Sequence, residues 1–172
     1  MDYKTKPLNR RFLRFLAQII RNTFKCRSKF KFNVILAFEQ IHSIFKNITV
    51  EVVENELMRV PARCIPDLNG CYHIEVKEEI YVGACNGVGG YRAHILHEMC
   101  HAILCMLGYT PILDREFKNN ELKPFESMEW QAKALCGEIL CPYEATKGMS
   151  VREIIRKCNV SEQCALMRTK LK

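Results

Sequence analysis

The chain has 172 residues, 48% of them apolar and 26% charged, which suits one domain, or one domain with an appendage, and excludes a disordered polymer. Its net charge of +7 is uneven: residues 1–31 carry ten Lys/Arg against Asp2 alone, a local +9, while the other 141 residues sum to −2. The isoelectric point therefore gives no support for a body built to bind nucleic acid.

From Leu8 to Phe24, Leu8, Phe12, Phe15, Leu16, Ile19 and Ile20 fall on one helical stripe, with Arg11, Arg14, Arg21 and Lys25 mostly opposite. Such a helix could touch an anionic membrane or nucleic acid. The favoured expectation is a helix packed on the domain or a leader with a solvated basic face, because nothing else in the chain suits either partner. Arg14 and Arg21 interrupt the apolar core that an export signal requires, so a cytoplasmic protein is expected. Ten cysteines with no C-x-x-C spacing then read as mostly reduced, buried thiols.

A second helix is expected over Phe32–Phe45 and a strand over the β-branched residues 48–54. Two further strands, Cys71–Val76 and Ile80–Ala84, follow the turn signal Asn69-Gly70. Gly87, Gly89 and Gly90 lack nucleotide-loop spacing and turn the chain into a helix at about Tyr91–Leu107, ended by Gly108. A polar stretch with Pro111, Asn119, Asn120 and Pro124 leads to a helix at about Glu126–Leu140, stopped by Pro142. From Ser150 a helix, a turn at Asn159–Val160 and a second helix capped by Ser161 complete the chain. The rhythm resembles helix-turn-helix units, but packing is favoured, since only Arg168, Lys170 and Lys172 would furnish phosphate contacts. The expected fold is α+β: a small antiparallel or mixed sheet packed with helices.

The chemistry concentrates in "HILHEMCHAIL". His97 and His101 are four residues apart and project from one helical face, where both imidazoles can reach one metal. Glu98 flanks that face and can serve as a base without being a ligand. Zinc lowers the pKa of a bound water towards 7, and the adjacent carboxylate can take its proton and pass it to a leaving amine. The flanking Ile95, Leu96, Met99, Ala102 and Ile103 bury this helix, where histidines and a glutamate without a partner are costly. A third ligand is needed. Glu129 shares a face with Ala132, Lys133, Cys136 and Leu140, whose small members permit close helix approach; Glu126 is also open by spacing, and Glu138 is expected to face solvent.

Taken with "EWQAKALCGEILCP", which starts after 27 intervening residues, this helix resembles the ImmA/IrrE family of bacterial metallopeptidases. Glu129, Ala132, Leu135, Ile139, Leu140 and Pro142 match that family's second helix, with Cys136 and Cys141 in place of a usual Ala and Met. Arg92 matches a frequent family arginine, and His94 replaces a commoner threonine. The likeness covers about residues 32–170, so the chain divides into a basic segment, 1–31, and a peptidase-like domain, 32–172, with a zincin-like helix pair. The resemblance implies Zn2+ held by His97, His101 and Glu129, with Glu98 as catalytic base. It further implies a gluzincin-like endopeptidase that cleaves a helix-turn-helix repressor in a mobile-element, prophage or stress circuit. A catalytically silent metal-stabilised sensor, or a DNA- or membrane-associated regulator acting through residues 1–31, are the alternatives. His94 could orient a ligand or bind the oxyanion, Tyr109 or Tyr143 could donate to it, and His42, His73 and Trp130 are expected to pack. Cys100 and Cys136 are expected to be inertly buried.

Overall fold

A computed structural model describes residues 2–112 and 122–171; the polar stretch around Asn119 and Asn120 lies outside them. Eight helices and a three-stranded sheet form an α+β fold among these residues. Helices α1 (Arg10–Thr23) and α2 (Val34–Ile44) precede strand β1 (Ile48–Val53), β2 (Ala62–Pro66) and β3 (Tyr72–Lys77). Then come α3 (Glu78–Cys85), α4 (Gly89–Met106), α5 (Met128–Leu140), the short α6 (Tyr143–Thr146), α7 (Val151–Cys158) and α8 (Glu162–Thr169).

The sheet order is β1-β3-β2, with β1 parallel and β2 antiparallel to β3. Ile48, Ile74, Val76 and Ala62 point inward, while Glu51, Glu75 and Arg63 point outward, the period-two alternation of a sheet covered on one face. Helix α4 lies on the covered face, and Ile95, Leu96, Met99, Ala102 and Ile103 fill the space between it, the sheet and α5.

The segment expected as a third strand, Ile80–Ala84, is instead the core of α3. Glu78 and Glu79 lie in its first turn, where the helix dipole favours carboxylates, and the Asn55 side chain accepts from the Glu79 backbone. Ile80 and Ala84, four apart, are its buried positions, so a helical period serves the core here. The third strand is Ala62–Pro66, a sheet edge between Pro61 and Pro66.

Helix α1 packs on α5 through Leu13, Leu16, Ala17 and Ile20, part of the same core as the sheet. The burial stripe is rotated from the expected one: Phe12, Phe15 and Ile19 are exposed, and Arg21 is buried. The Arg21 guanidinium donates to the carbonyls of Ile139 and Ser28, which offsets its desolvation.

A larger departure is Glu138, which is buried rather than solvated. It takes Arg168 at 3.0 Å, Arg14 at 3.3 Å and Arg10 at 3.6 Å, tying α1, α5 and α8 together. The Arg14 and Arg168 guanidiniums both stack on Tyr143, 3.7 and 4.7 Å from its ring centre. Arg168, counted above as a phosphate contact, is thereby an internal residue. Helices α7 and α8 close the core with Ile154, Cys158, Val160 and Ala165. Ser150 and Glu153 form a reciprocal capping box at α7, and Ser161 caps α8.

Candidate metal centre

Helix α4 runs from Gly89 to Met106, and Gly108, at φ +86°, ends it in the left-handed conformation that favours glycine. At its start, a Cβ on Gly89 would stand 2.6 Å from the Val160 and Ser161 backbone, so glycine allows α4 to abut the α7–α8 turn. Arg92 secures that junction. Its guanidinium donates at 2.6 Å to Asn159 O and at 2.6 Å to Phe32 O, a structural role for the arginine singled out above.

These constraints set the rotation of α4 and with it the two histidines. His97 Nε2 and His101 Nε2 lie 3.1 Å apart, with the rings nearly perpendicular. Helix α5 presents Glu129 in its first turn: Oε2 is 3.4 Å from His97 Nε2, and Oε1 is 3.1 Å from His101 Nε2. Ser127 caps α5 by accepting from Trp130 N. Asp2 adds a second cap, accepting from the Glu129 backbone and from the Ser127 hydroxyl. The residue that fixes the start of α5 thus lies at the far end of the sequence. Lys133, one turn on, reaches Glu129 Oε2 at 3.6 Å.

Two imidazole nitrogens and a carboxylate are the N/O donor set of a zinc site that keeps an open position. Bonds of 2.0–2.1 Å place tetrahedral ligands about 3.3 Å apart; the two imidazole nitrogens are 3.1 Å apart, each lies 3.1–3.4 Å from one of the two Glu129 oxygens, and one donor atom from each residue falls within 4.8 Å of the others. All three atoms are electron-pair donors, and one cation at their centre satisfies them together. The residues fit the ion. Glu126 is not in this group.

The two glutamates beside the histidines are pushed in opposite directions. Hydrogen bonds from His101 and His97 hold the Glu129 carboxyl well below the usual carboxylate range. Burial pushes Glu98 up, although the histidines and a hydrogen bond from the Cys64 backbone N–H oppose it. Glu129 is therefore suited to remain an anion, and Glu98 to exchange a proton.

Cavities flank the donors on both sides. One of about 360 Å³ is lined by Glu98, His101, Glu129, Cys64, Tyr72 and Asp2. The other, about 600 Å³, runs past His97 and His94 between α5 and α8. His94 faces this second cavity, held below its ordinary pKa by desolvation and by His97. Tyr109 packs near Phe12, and Tyr143 lies against two arginines; neither lines the two cavities. Cys100 and Cys136 are buried, Cys136 donating to Ala93 O, and neither is among the three donors.

Elsewhere the histidines depart from expectation. His42 is exposed, and His73 sits on the outer sheet face, held by Thr49 at 2.7 Å and Glu51 at 3.2 Å. Glu51, His73 and Glu75 form a second group of potential donors, but Arg63 already takes Glu75 at 2.6 Å. Four of the ten free cysteines are buried and Cys85 is exposed, so burial is less general than the sequence suggests. No helix among the described residues is long and apolar enough to cross a membrane. No protein-family model matches the chain, and no curated protein matches it.

Proposed function

We propose that the protein is a zinc-dependent endopeptidase, and the observation that carries this reading is the triangle of His97 Nε2, His101 Nε2 and a Glu129 carboxylate oxygen. In this reading the three side chains would hold Zn2+, which would supply Lewis-acid polarisation and lower the pKa of a water. Glu98 is the residue placed to accept a proton from an attacking water and to return it to the leaving nitrogen of a cleaved C–N bond. Its raised proton affinity suits both halves of that transfer. Asp2 and Ser127 fix the start of α5, and so position Glu129. The cavities on either side of the donors give an extended peptide somewhere to place the residues flanking its scissile bond.

The likeness of "HILHEMCHAIL" and "EWQAKALCGEILCP" to the ImmA/IrrE pattern extends the proposal to a substrate: a helix-turn-helix repressor encoded beside the protein, in a cytoplasmic stress or mobile-element circuit. The test is incubation of zinc-loaded protein with that repressor, followed by mass analysis of the products. One defined cut, absent with Glu98→Gln, is the expected result. Tight binding without cleavage by the unaltered protein would instead favour a silent metal-stabilised sensor.

A further inference from the structure

Cys141 closes α5 and Cys164 lies in the first turn of α8; their Sγ atoms are 3.8 Å apart. A disulfide bond is about 2.05 Å long, so bonding requires an approach of only about 1.8 Å. The surroundings of the two sulfurs differ. Cys141 and its other thiol neighbour, Cys158, are fully buried, whereas Cys164 is half-buried and lines the 600 Å³ cavity beside His97. Of the three cysteines, Cys164 alone lines that cavity.

The electrostatics favour a thiolate at Cys164, and at Cys158 as well, so it is exposure to the cavity that separates the two. Cys164 is at the N-terminal turn of α8, where helix amides favour a negative charge, and Arg168 lies one turn further on. Hydrogen bonding from Cys141, assisted by Arg168, draws the Cys164 thiol below its ordinary pKa against the effect of burial. Partial exposure, a positive environment and an adjacent second thiol are the attributes of redox-active cysteines.

We propose that Cys164 is a peroxide-reactive cysteine and Cys141 its resolving partner, so that oxidation by a hydroperoxide joins α5 to α8 covalently. The Cys164 thiolate attacks the terminal peroxide oxygen, the O–O bond breaks, and the leaving oxygen takes a proton to depart as water or an alcohol. Cys164 is then a sulfenic acid. The Cys141 sulfur, giving up its proton, attacks the Cys164 sulfur; the S–O bond breaks and water leaves as the S–S bond forms. Two thiols lose two electrons and two protons, and one hydroperoxide is reduced. The link ties the end of the Glu129-bearing helix to the wall of the cavity next to His97. Its formation does not depend on the peptidase reading, because the readout is a covalent bond.

The experiment treats the reduced full chain with equimolar hydrogen peroxide, blocks remaining thiols by alkylation, and maps the digest by mass spectrometry without reduction. A Cys141–Cys164 linked peptide is expected, with the other thiols alkylated. Cys164→Ser should abolish the link, and Cys141→Ser should leave a dimedone-reactive sulfenic acid on Cys164. Recovery of both cysteines alkylated once the peroxide is consumed, or a predominant Cys141–Cys158 link, overturns the proposal. The mapping of the unaltered chain decides this by itself, even where a variant fails to fold.

Discussion

Glu98 and Glu129 show what a difference of surroundings does to one residue type. Both approach the same two histidines, yet burial raises the first while hydrogen bonds lower the second. Glu98→Gln should therefore keep zinc while lowering the cleavage rate by about 10²–10⁴-fold, the range for loss of a positioned proton-transfer group. Arg92 provides a test remote from the metal: a lysine there cannot span the carbonyls of both Asn159 and Phe32. Arg92→Lys should cost about 2 kcal/mol in urea unfolding, since one buried acceptor loses its charged partner; an unchanged midpoint would deny Arg92 that role. The histidines and Glu98 were legible in the sequence because a helix brings positions four apart onto one face. Spacing left Glu126 open beside Glu129; the small residues on the Glu129 face and the family resemblance favoured Glu129. Asp2 on Glu129 and Cys64 on Glu98 are contacts across the fold, and no local pattern encodes them.

At the scale of elements, the long amphipathic and apolar helices were readable, and the errors came where tertiary contacts decided. Ile80–Ala84 carries β-favouring side chains, but acidic residues at the start and the Asn55 cap make it a helix. The true edge strand, Ala62–Pro66, is short and ends in proline, so it offers little alternation to detect. In α1 the stripe was read about one residue out of phase, because a buried arginine with two carbonyl partners looks polar in sequence. Glu138 was placed outside for the same reason: its three arginines come from α1 and α8. Glu138→Ala should lower stability by about 3–5 kcal/mol, because it strands the Arg168 charge in the interior; a loss under about 1 kcal/mol would mark the cluster as a surface network. Gly89→Ala should destabilise as well, since the α7–α8 backbone stands where the new methyl would lie. Differential scanning calorimetry would show the lowered transition.

For the molecule as a whole, the order of predicted elements pointed correctly to an α+β fold, and the +9 charge of residues 1–31 was plain. What that charge does was not, because Arg10 and Arg14 meet Glu138 and stack on Trp130 and Tyr143 only after folding. The candidate metal centre joins α4 to α5, so an ion bound there would couple to global stability. Zinc at a hundredfold excess over its dissociation constant should add about 2.7 kcal/mol. For a chain of this size that raises the thermal midpoint by about 5–10 °C, reversed by a chelator.

The most direct test of the central claim is the zinc content of the purified full chain, measured by elemental mass spectrometry beside Glu129→Ala. The geometry of His97, His101 and Glu129 predicts about one zinc per chain, and little or none in the variant. A metal-free unaltered protein after zinc loading, or full retention by Glu129→Ala, would contradict the account.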